Sequence, residues 1–261
     1  MKILILTQDD NLYIPDALAK VCNSLNNSNE KIVCIVSSPA MSTHGGVVKG
    51  IWNHIKLFGF RGTSIMIFRI IRNKILENFS TTNNNNFSLR SVAAKFNIAF
   101  HRIKIINCND FHLLIDKYSP DILVSLSCPQ IIGKKVRNRF PMGCINVHGS
   151  PLPRYRGLMP SFWVLRNEES VTAVTVHDLT AKLDDGDILA QREVPISPED
   201  TWDSLVKKTK AVGAIALIDT IRNIKNNSVK RMPNLNSKAS YYSFPTSKDR
   251  KVFLSLGRLF F

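Results

Sequence analysis

Apolar and polar residues fall into blocks along the chain, and the repeat within each block changes. "KILILT" (Lys2–Thr7) is a short apolar run ending in the polar turn "QDDN", the pattern of a buried strand. "IPDALAKVCNSL" (Ile14–Leu25) carries its apolar residues at helical spacing, with a proline near its start, where a helix accepts one. "KIVCIVSS" (Lys31–Ser38) returns to a continuous apolar run. Strand, helix and strand in this order form one βαβ unit, which predicts a parallel sheet.

The blocks from Lys49 to Phe79 differ. "KGIWNHIKLFGFRG" and "TSIMIFRIIRNKILENF" hold many large apolar residues, with Lys56, Arg61, Arg69, Arg72 and Lys74 among them. They predict two helical pieces split near Gly59 and Gly62. Two readings compete: the pieces pack on the sheet, or they lie on a membrane or partner surface as a basic amphipathic pair. Residues 80–86 read as a loop. "SLRSVAAKF" predicts a short helix and "IAFHRIK" a third strand. "DFHLLIDKYSPD" predicts a helix capped by Asp110 and stopped at Ser119-Pro120.

Asp121–Ser127 and "CINVH" (Cys144–His148) predict strands four and five. Ala173–Leu179 and Asp187–Ile196 follow with no long helix between them, so they predict a hairpin at one side of the sheet. Thr201–Lys225 predicts one long helix, followed by a basic, aromatic tail. The fold class expected is α/β, a Rossmann-like, mostly parallel sheet flanked by helices, with a short C-terminal helical and aromatic extension. The division expected is residues 1–200 and 201–261.

The length of 261 residues and 44% hydrophobic content suit a folded chain with a real core. "MKILILTQDD" turns acidic too early for a secretory apolar region, and no long uninterrupted apolar run predicts a spanning helix. The expected location is cytoplasmic, at the inner face of the membrane if Lys49–Phe79 touches it. The five cysteines are widely spaced with no CxxC pair, which argues against a disulfide framework or a metal site. The net charge of +15 favours anionic partners: nucleotides, RNA or an acidic membrane surface. Biased Lys and Asn usage explains the same charge equally well.

The stretch "CINVHGSPLPRYRG" raises the question of chemistry. A strand ending in Asn-x-His points Asn146 and His148 to the same side, because side chains alternate with period two. At the carboxyl end of a parallel strand that side faces the crevice where open α/β sheets take ligands. There an amide and an imidazole can both donate to a developing oxyanion. Taken alone, such a pair is more often a turn cap and a packed ring. "KLDDGDIL" (Lys182–Leu189) then sets Asp184, Asp185 and Asp187 around Gly186, either as a solvated turn or to hold an imidazole protonated.

Together, "INVHGSPLPRYRG" and "AVTVHDLTAKLDDGDILAQREVPI" resemble the folate-dependent formyltransferases, which use 10-formyltetrahydrofolate and include methionyl-tRNA, glycinamide-ribonucleotide and sugar-amine enzymes. The family's shared mark is an Asn-x-His at a strand end with a later Asp in an "LDxGD"-like loop. The resemblance implies a catalytic domain over residues 1–200, with Asn146, His148 and Asp184 catalytic and no metal. The acceptor amine would attack the formyl carbon directly, through a tetrahedral intermediate. Asn146 and protonated His148 would donate to the oxyanion, and Asp184 would charge the imidazole and help move the amine's proton. Asp185 and Asp187 would serve the turn.

The resemblance also implies a pterin pocket from Pro129, Gln130, Ile131 and Ile132 together with Thr180, Ala181, Lys182 and Leu183. Arg154 and Arg156 either meet phosphates or the folate tail, or form a solvated loop pair.

Two branches of the family fit less well. "TQDDNLYIP" lacks the glycine-rich phosphate loop of the ribonucleotide enzymes, and the residues after "VPI" leave no room for the tRNA enzymes' C-terminal barrel. The acceptor expected is therefore a nucleotide-linked amino sugar for surface polysaccharide, or a lipid-linked sugar if Lys49–Phe79 meets membrane. Initiator tRNA, met by a basic face, is the alternative enzyme reading. A catalytically silent folate- or membrane-binding module is the alternative from another class. Tyr241, Tyr242 and Phe244 either stack on a ligand or latch the tail to the core, the latch being favoured.

Overall fold

The alternating blocks form a seven-stranded sheet. The computed structural model of the chain describes residues 1–26, 28–40, 47–79 and 86–261, with side chains throughout except at residues 47–49. Of the expected loop 80–86, only Asn86 lies within the described residues. The strands are β1 (Lys2–Gln8), β2 (Lys31–Ser38), β3 (Ala99–Arg102), β4 (Ile122–Leu126), β5 (Cys144–His148), β6 (Arg156–Gly157), β7 (Val171–Asp178), β8 (Ile188–Pro195) and β9 (Tyr241–Tyr242). The large sheet has the order β3-β2-β1-β4-β5-β7-β8, and β6 and β9 make a separate pair. The first five strands are parallel; β7 runs antiparallel to β5, and β8 to β7, as the hairpin reading required. The strand order reverses between β1 and β4, so a crevice opens at their carboxyl ends.

The helices are α1 (Ile14–Leu25), α2 (Val47–Phe79), α3 (Leu89–Lys95), α4 (Asn109–Tyr118), α5 (Lys134–Arg137), α6 (Pro160–Arg166), α7 (Trp202–Lys225) and α8 (Ser247–Ser255). Period two divides β1 between two cores. Ile3 and Ile5 join a cluster with α1, α3 and α7, and Leu4 and Leu6 join one with α4 and α5. A third cluster gathers Leu57, Phe58 and Met66 of α2 with α6, Trp202, Phe253 and Phe260.

Two local expectations need correction. The N-cap of α4 is Cys108, which makes no side-chain cap bond; Asp110 sits in the first turn, where its charge favours the helix dipole. The break in α2 falls at Gly59 alone (φ 72°, ψ 176°). Gly62 stays within the second helical piece, where its missing side chain makes room for the Phe261 ring. The tail is a latch: Tyr242 stacks on Tyr155 at 5.1 Å between ring centres and tilts against Trp163 at 4.8 Å. The first free backbone donors of α7 are also taken up by the tail, Trp202 N–H by Leu259 O (2.9 Å) and Asp203 N–H by Phe260 O (3.0 Å). Among the described residues no helix is long and apolar enough to cross a membrane.

Candidate active site

Strand β5 begins apolar and ends polar on one face. Cys144 packs in the α4–α5 cluster, and Asn146 and His148 continue that face two and four residues later. β7 contributes the neighbouring row, with Asn146 opposite His177 and His148 opposite Thr175. The β7–β8 loop then brings Asp184 between the two imidazoles. Its Oδ2 lies 3.6 Å from His148 Nδ1 and its Oδ1 lies 3.6 Å from His177 Nε2. Asn146, His148 and Asp184, chosen from separate motifs, therefore converge on one spot.

Each group is held by its neighbours. His148 Nε2 lies 2.8 Å from the Tyr155 carbonyl. A carbonyl only accepts, so Nε2 carries the proton and Nδ1 is the nitrogen turned toward Asp184. His177 Nδ1 likewise donates to Asp178 O (2.9 Å), which leaves its Nε2 to accept from Asn146 Nδ2 (3.1 Å). One N–H of the Asn146 amide stays uncommitted by these bonds. Asp184 Oδ2 accepts from the Gly157 N–H at 2.9 Å. His148, His177 and Asp184 are all buried. Burial pushes the Asp184 carboxyl up, but the charge of a protonated His148 and the hydrogen bond from the Gly157 N–H outweigh it and hold the group well below the usual carboxylate range.

The loop geometry explains the run "LDDGD". Asp184 has left-handed backbone (φ 48°), which Asp tolerates better than most residues. At Gly186 a Cβ would come within 1.9 Å of Asp178 O, so the loop can fold back on β7 only with glycine there. Asp185 pairs with Arg156 Nη1 at 2.6 Å, and Asp187 O accepts from Asp178 N–H at 2.9 Å. Arg156 meets neither solvent nor an open anion site: it is fully buried and binds Asp185, Asn234, Asn236 and Tyr241. Asn234 Nδ2 in turn donates to the carbonyls of Asp184 and Gly186. Arg154 is exposed and pairs with Glu169 at 3.0 Å.

The two expected pocket segments have different surfaces. Gln130 is occupied as a staple, accepting from Ile106 N–H and donating to Lys104 O, and Ile132 is buried in the α4–α5 cluster. Ile131 projects outward, as do Thr180, Ala181, Lys182 and Leu183; Pro129 is half-buried. Cys128, Ile132 and Leu179 share one apolar cluster, so both segments border the face that carries Asn146. A cavity of about 30 Å³ lies behind β5, lined by Val147, Gly149, Thr209 and Lys210, which is room for a water. A groove of about 610 Å³ follows the edge from Pro151 to Glu193. Neither touches Asn146, His148 or Asp184. Among the described residues no cluster of His, Cys, Asp and Glu has the geometry of a metal centre.

Asn146, His148, His177 and Asp184 stand within the part of the chain, residues 1–221, that matches the model of a known family, described as formyl transferase. The chain belongs to the formyl transferase family. A methionyl-tRNA formyltransferase from Syntrophus aciditrophicus is 41% identical over 128 residues, 49% of this chain and 41% of that protein. The chain spans about half the length of the curated relatives it matches. Among solved structures, a phosphoribosylglycinamide formyltransferase from Anaplasma phagocytophilum superposes with a TM-score of 0.62 at 16% identity, over 93% of this chain and 97% of that one. An N-formyltransferase from Helicobacter canadensis, solved with folinic acid and dTDP-3-aminofucose, gives 0.56 at 20% identity, over 93% and 71%. These likenesses establish the shared fold.

Within this formyl transferase frame, sequence reasoning missed His177. The residue lies in "AVTVHDL", a pattern that predicts a strand and no more. Its place opposite Asn146 depends on the β5–β7 register, which no local pattern encodes.

Proposed function

We propose that this chain transfers the formyl group of 10-formyltetrahydrofolate to a primary amine, and that the amine belongs to an amino sugar carried on a nucleotide. The observation that carries the transfer is the convergence of Asn146, His148 and Asp184, with the carboxyl held ionised between two imidazoles. The donor supplies an activated formyl carbon when bound. Ile131 and Leu183, exposed at 64% and 47%, fit an apolar ring system between the two bordering segments, Pro129–Ile132 and Thr180–Leu183. The uncommitted Asn146 N–H and the His148 Nδ1–H donate to the formyl oxygen as it gathers negative charge. Ionised Asp184 favours the charged imidazole and helps pass the proton released by the attacking amine to N10 of tetrahydrofolate, which leaves as its bond to the formyl carbon breaks.

The loop after β1 bears on the acceptor. Asp10 Oδ1 accepts from the N–H groups of Leu12 (2.7 Å) and Tyr13 (2.8 Å) at the start of α1. A carboxylate thus takes donors that a helix start would otherwise offer a phosphate, which disfavours a phosphoribosyl amine held there. The Helicobacter canadensis neighbour, solved with an amino sugar on dTDP, supports the sugar reading. That reading places the reaction in the cytoplasm, where both reactants are made, and its product serves surface polysaccharide. The second reading is initiator methionyl-tRNA, favoured by the 41% identity to a methionyl-tRNA enzyme and the net charge of +15.

The test is a transfer assay with 10-formyltetrahydrofolate and a panel of nucleotide-linked 3-amino and 4-amino sugars, initiator methionyl-tRNA and glycinamide ribonucleotide. Tetrahydrofolate release and acceptor mass are followed together. Formylation of a sugar nucleotide is the expected result. Transfer to the tRNA alone would replace it with the second reading, and folate binding with no transfer to any amine would leave a binding module.

A further inference from the structure

Helix α2 is turned the wrong way round for water. Beyond the Gly59 break, Phe60, Ile67, Phe68, Ile71, Ile75 and Phe79 recur at spacings of three, four and seven residues, so they share one side of the helix. That side faces outward: Phe60 is 76% exposed, Phe68 67% and Phe79 80%. The inner side holds Met66 of the third cluster together with small and polar contacts. Gly62 meets Phe261, Arg69 pairs with Asp203 at 2.6 Å, and Asn73 donates to Asn11 O at 3.1 Å. The inner side thus anchors the helix to the body, and the outer side is an apolar strip of a size that soluble surfaces rarely leave bare.

Charge indicates what covers it. Exposed Arg61 and Arg72 border the strip on one side and Lys74 on the other. The one acid between Gly50 and Phe79 is Glu77, whose Oε1 is engaged by the Ser88 hydroxyl. In the first piece Trp52 is exposed, with the Lys56 ammonium 5.7 Å from its ring centre, a pairing suited to a headgroup layer. A second copy on the same strip would set arginine and lysine against arginine and lysine with no acid to relieve them. An anionic bilayer surface accepts the apolar side chains and neutralises the cations, which reach outward on long stems.

We propose that the outer face of α2 is a docking surface for an anionic membrane, on which the folded protein lies peripherally. The proposal is independent of the transfer reaction and needs no catalytic group. The full chain is mixed with vesicles of phosphatidylcholine alone and with vesicles that also contain phosphatidylglycerol, and binding is read by co-flotation and by Trp fluorescence.

With three cations at the surface, partition to the anionic vesicles should be roughly a hundredfold stronger, and salt should weaken it. Phe68→Glu with Ile71→Glu should abolish flotation while urea denaturation stays unchanged. Arg61→Gln with Arg72→Gln should weaken it and flatten the salt dependence. Absence of flotation on the vesicles that contain phosphatidylglycerol overturns the proposal. So does sedimentation showing a dimer that the Phe68→Glu, Ile71→Glu variant dissolves, or a protein partner that binds this face and blocks flotation.

Discussion

The strand-end site and the outer face of α2 handle exposure in opposite ways. At the site, polar groups are buried and paired: Asp184 has a backbone N–H and two imidazoles around it, and Arg156 has four partners. On α2, apolar groups are exposed in a row. Burying charge costs stability unless every member is satisfied, and exposing a phenyl row costs solubility. Neither arrangement helps folding by itself. On the proposed roles, each keeps a free-energy penalty for something outside the fold, chemistry in one case and an external surface in the other.

The comparison is broken most severely by deleting the paired charges. His148→Ala or Asp184→Asn should each lower the turnover of formyl transfer about 10²–10³-fold with the circular dichroism spectrum preserved; near wild-type turnover in either would sink the proposed roles. Arg156→Met leaves half-buried Asp185 and buried Asn234 without their cation and should cost about 3 kcal/mol in urea denaturation. A loss under a kilocalorie would mean that the network is decorative.

Acid sharpens the contrast. The folded Asp184 pKa is depressed, so its stabilising share is complete above the unfolded value, about pH 4, and is lost as the pH falls toward the folded one. The stability gap between wild type and Asp184→Asn should therefore close as the pH falls below about 4. A gap that stays open in acid would reverse the sign argued here. His177→Leu removes one hydrogen bond to Asn146 and should slow transfer roughly tenfold, while KM for the amine stays the same. At the other extreme, Phe68→Ser on α2 should shift stability by no more than about 0.5 kcal/mol; a larger loss would show that the face is packed after all.

How far the chain could be read from its letters follows from the range of each interaction. β1, β2 and β5 show period two or unbroken apolar runs, and α1 and α7 show period 3.6, so a local window suffices. Asn146 and His148 were legible because a strand end fixes their side. Asp184 was legible only through the resemblance, since nothing local separates it from Asp185. His177, the β6–β9 pair and the fate of Arg156 were not legible. Each depends on register or on contacts between distant segments: β6 at Arg156 pairs with β9 at Tyr241. The competing readings of Lys49–Phe79 differ only in which side of the helix faces in, and periodicity alone does not carry that sign.

The partners of Arg156 have a consequence for the order in which the molecule comes into being. They stand 78, 80 and 85 positions later in the chain, at Asn234, Asn236 and Tyr241. A nascent polypeptide halted on the ribosome after β8 would have its sheet strands in hand. Its Asp184 loop, however, would still lack the Asn234 amide that bonds two of its carbonyls. Contacts of such long sequence separation close late in folding. The Asn234 segment, made after the Asp184 loop, therefore completes that loop's hydrogen bonding.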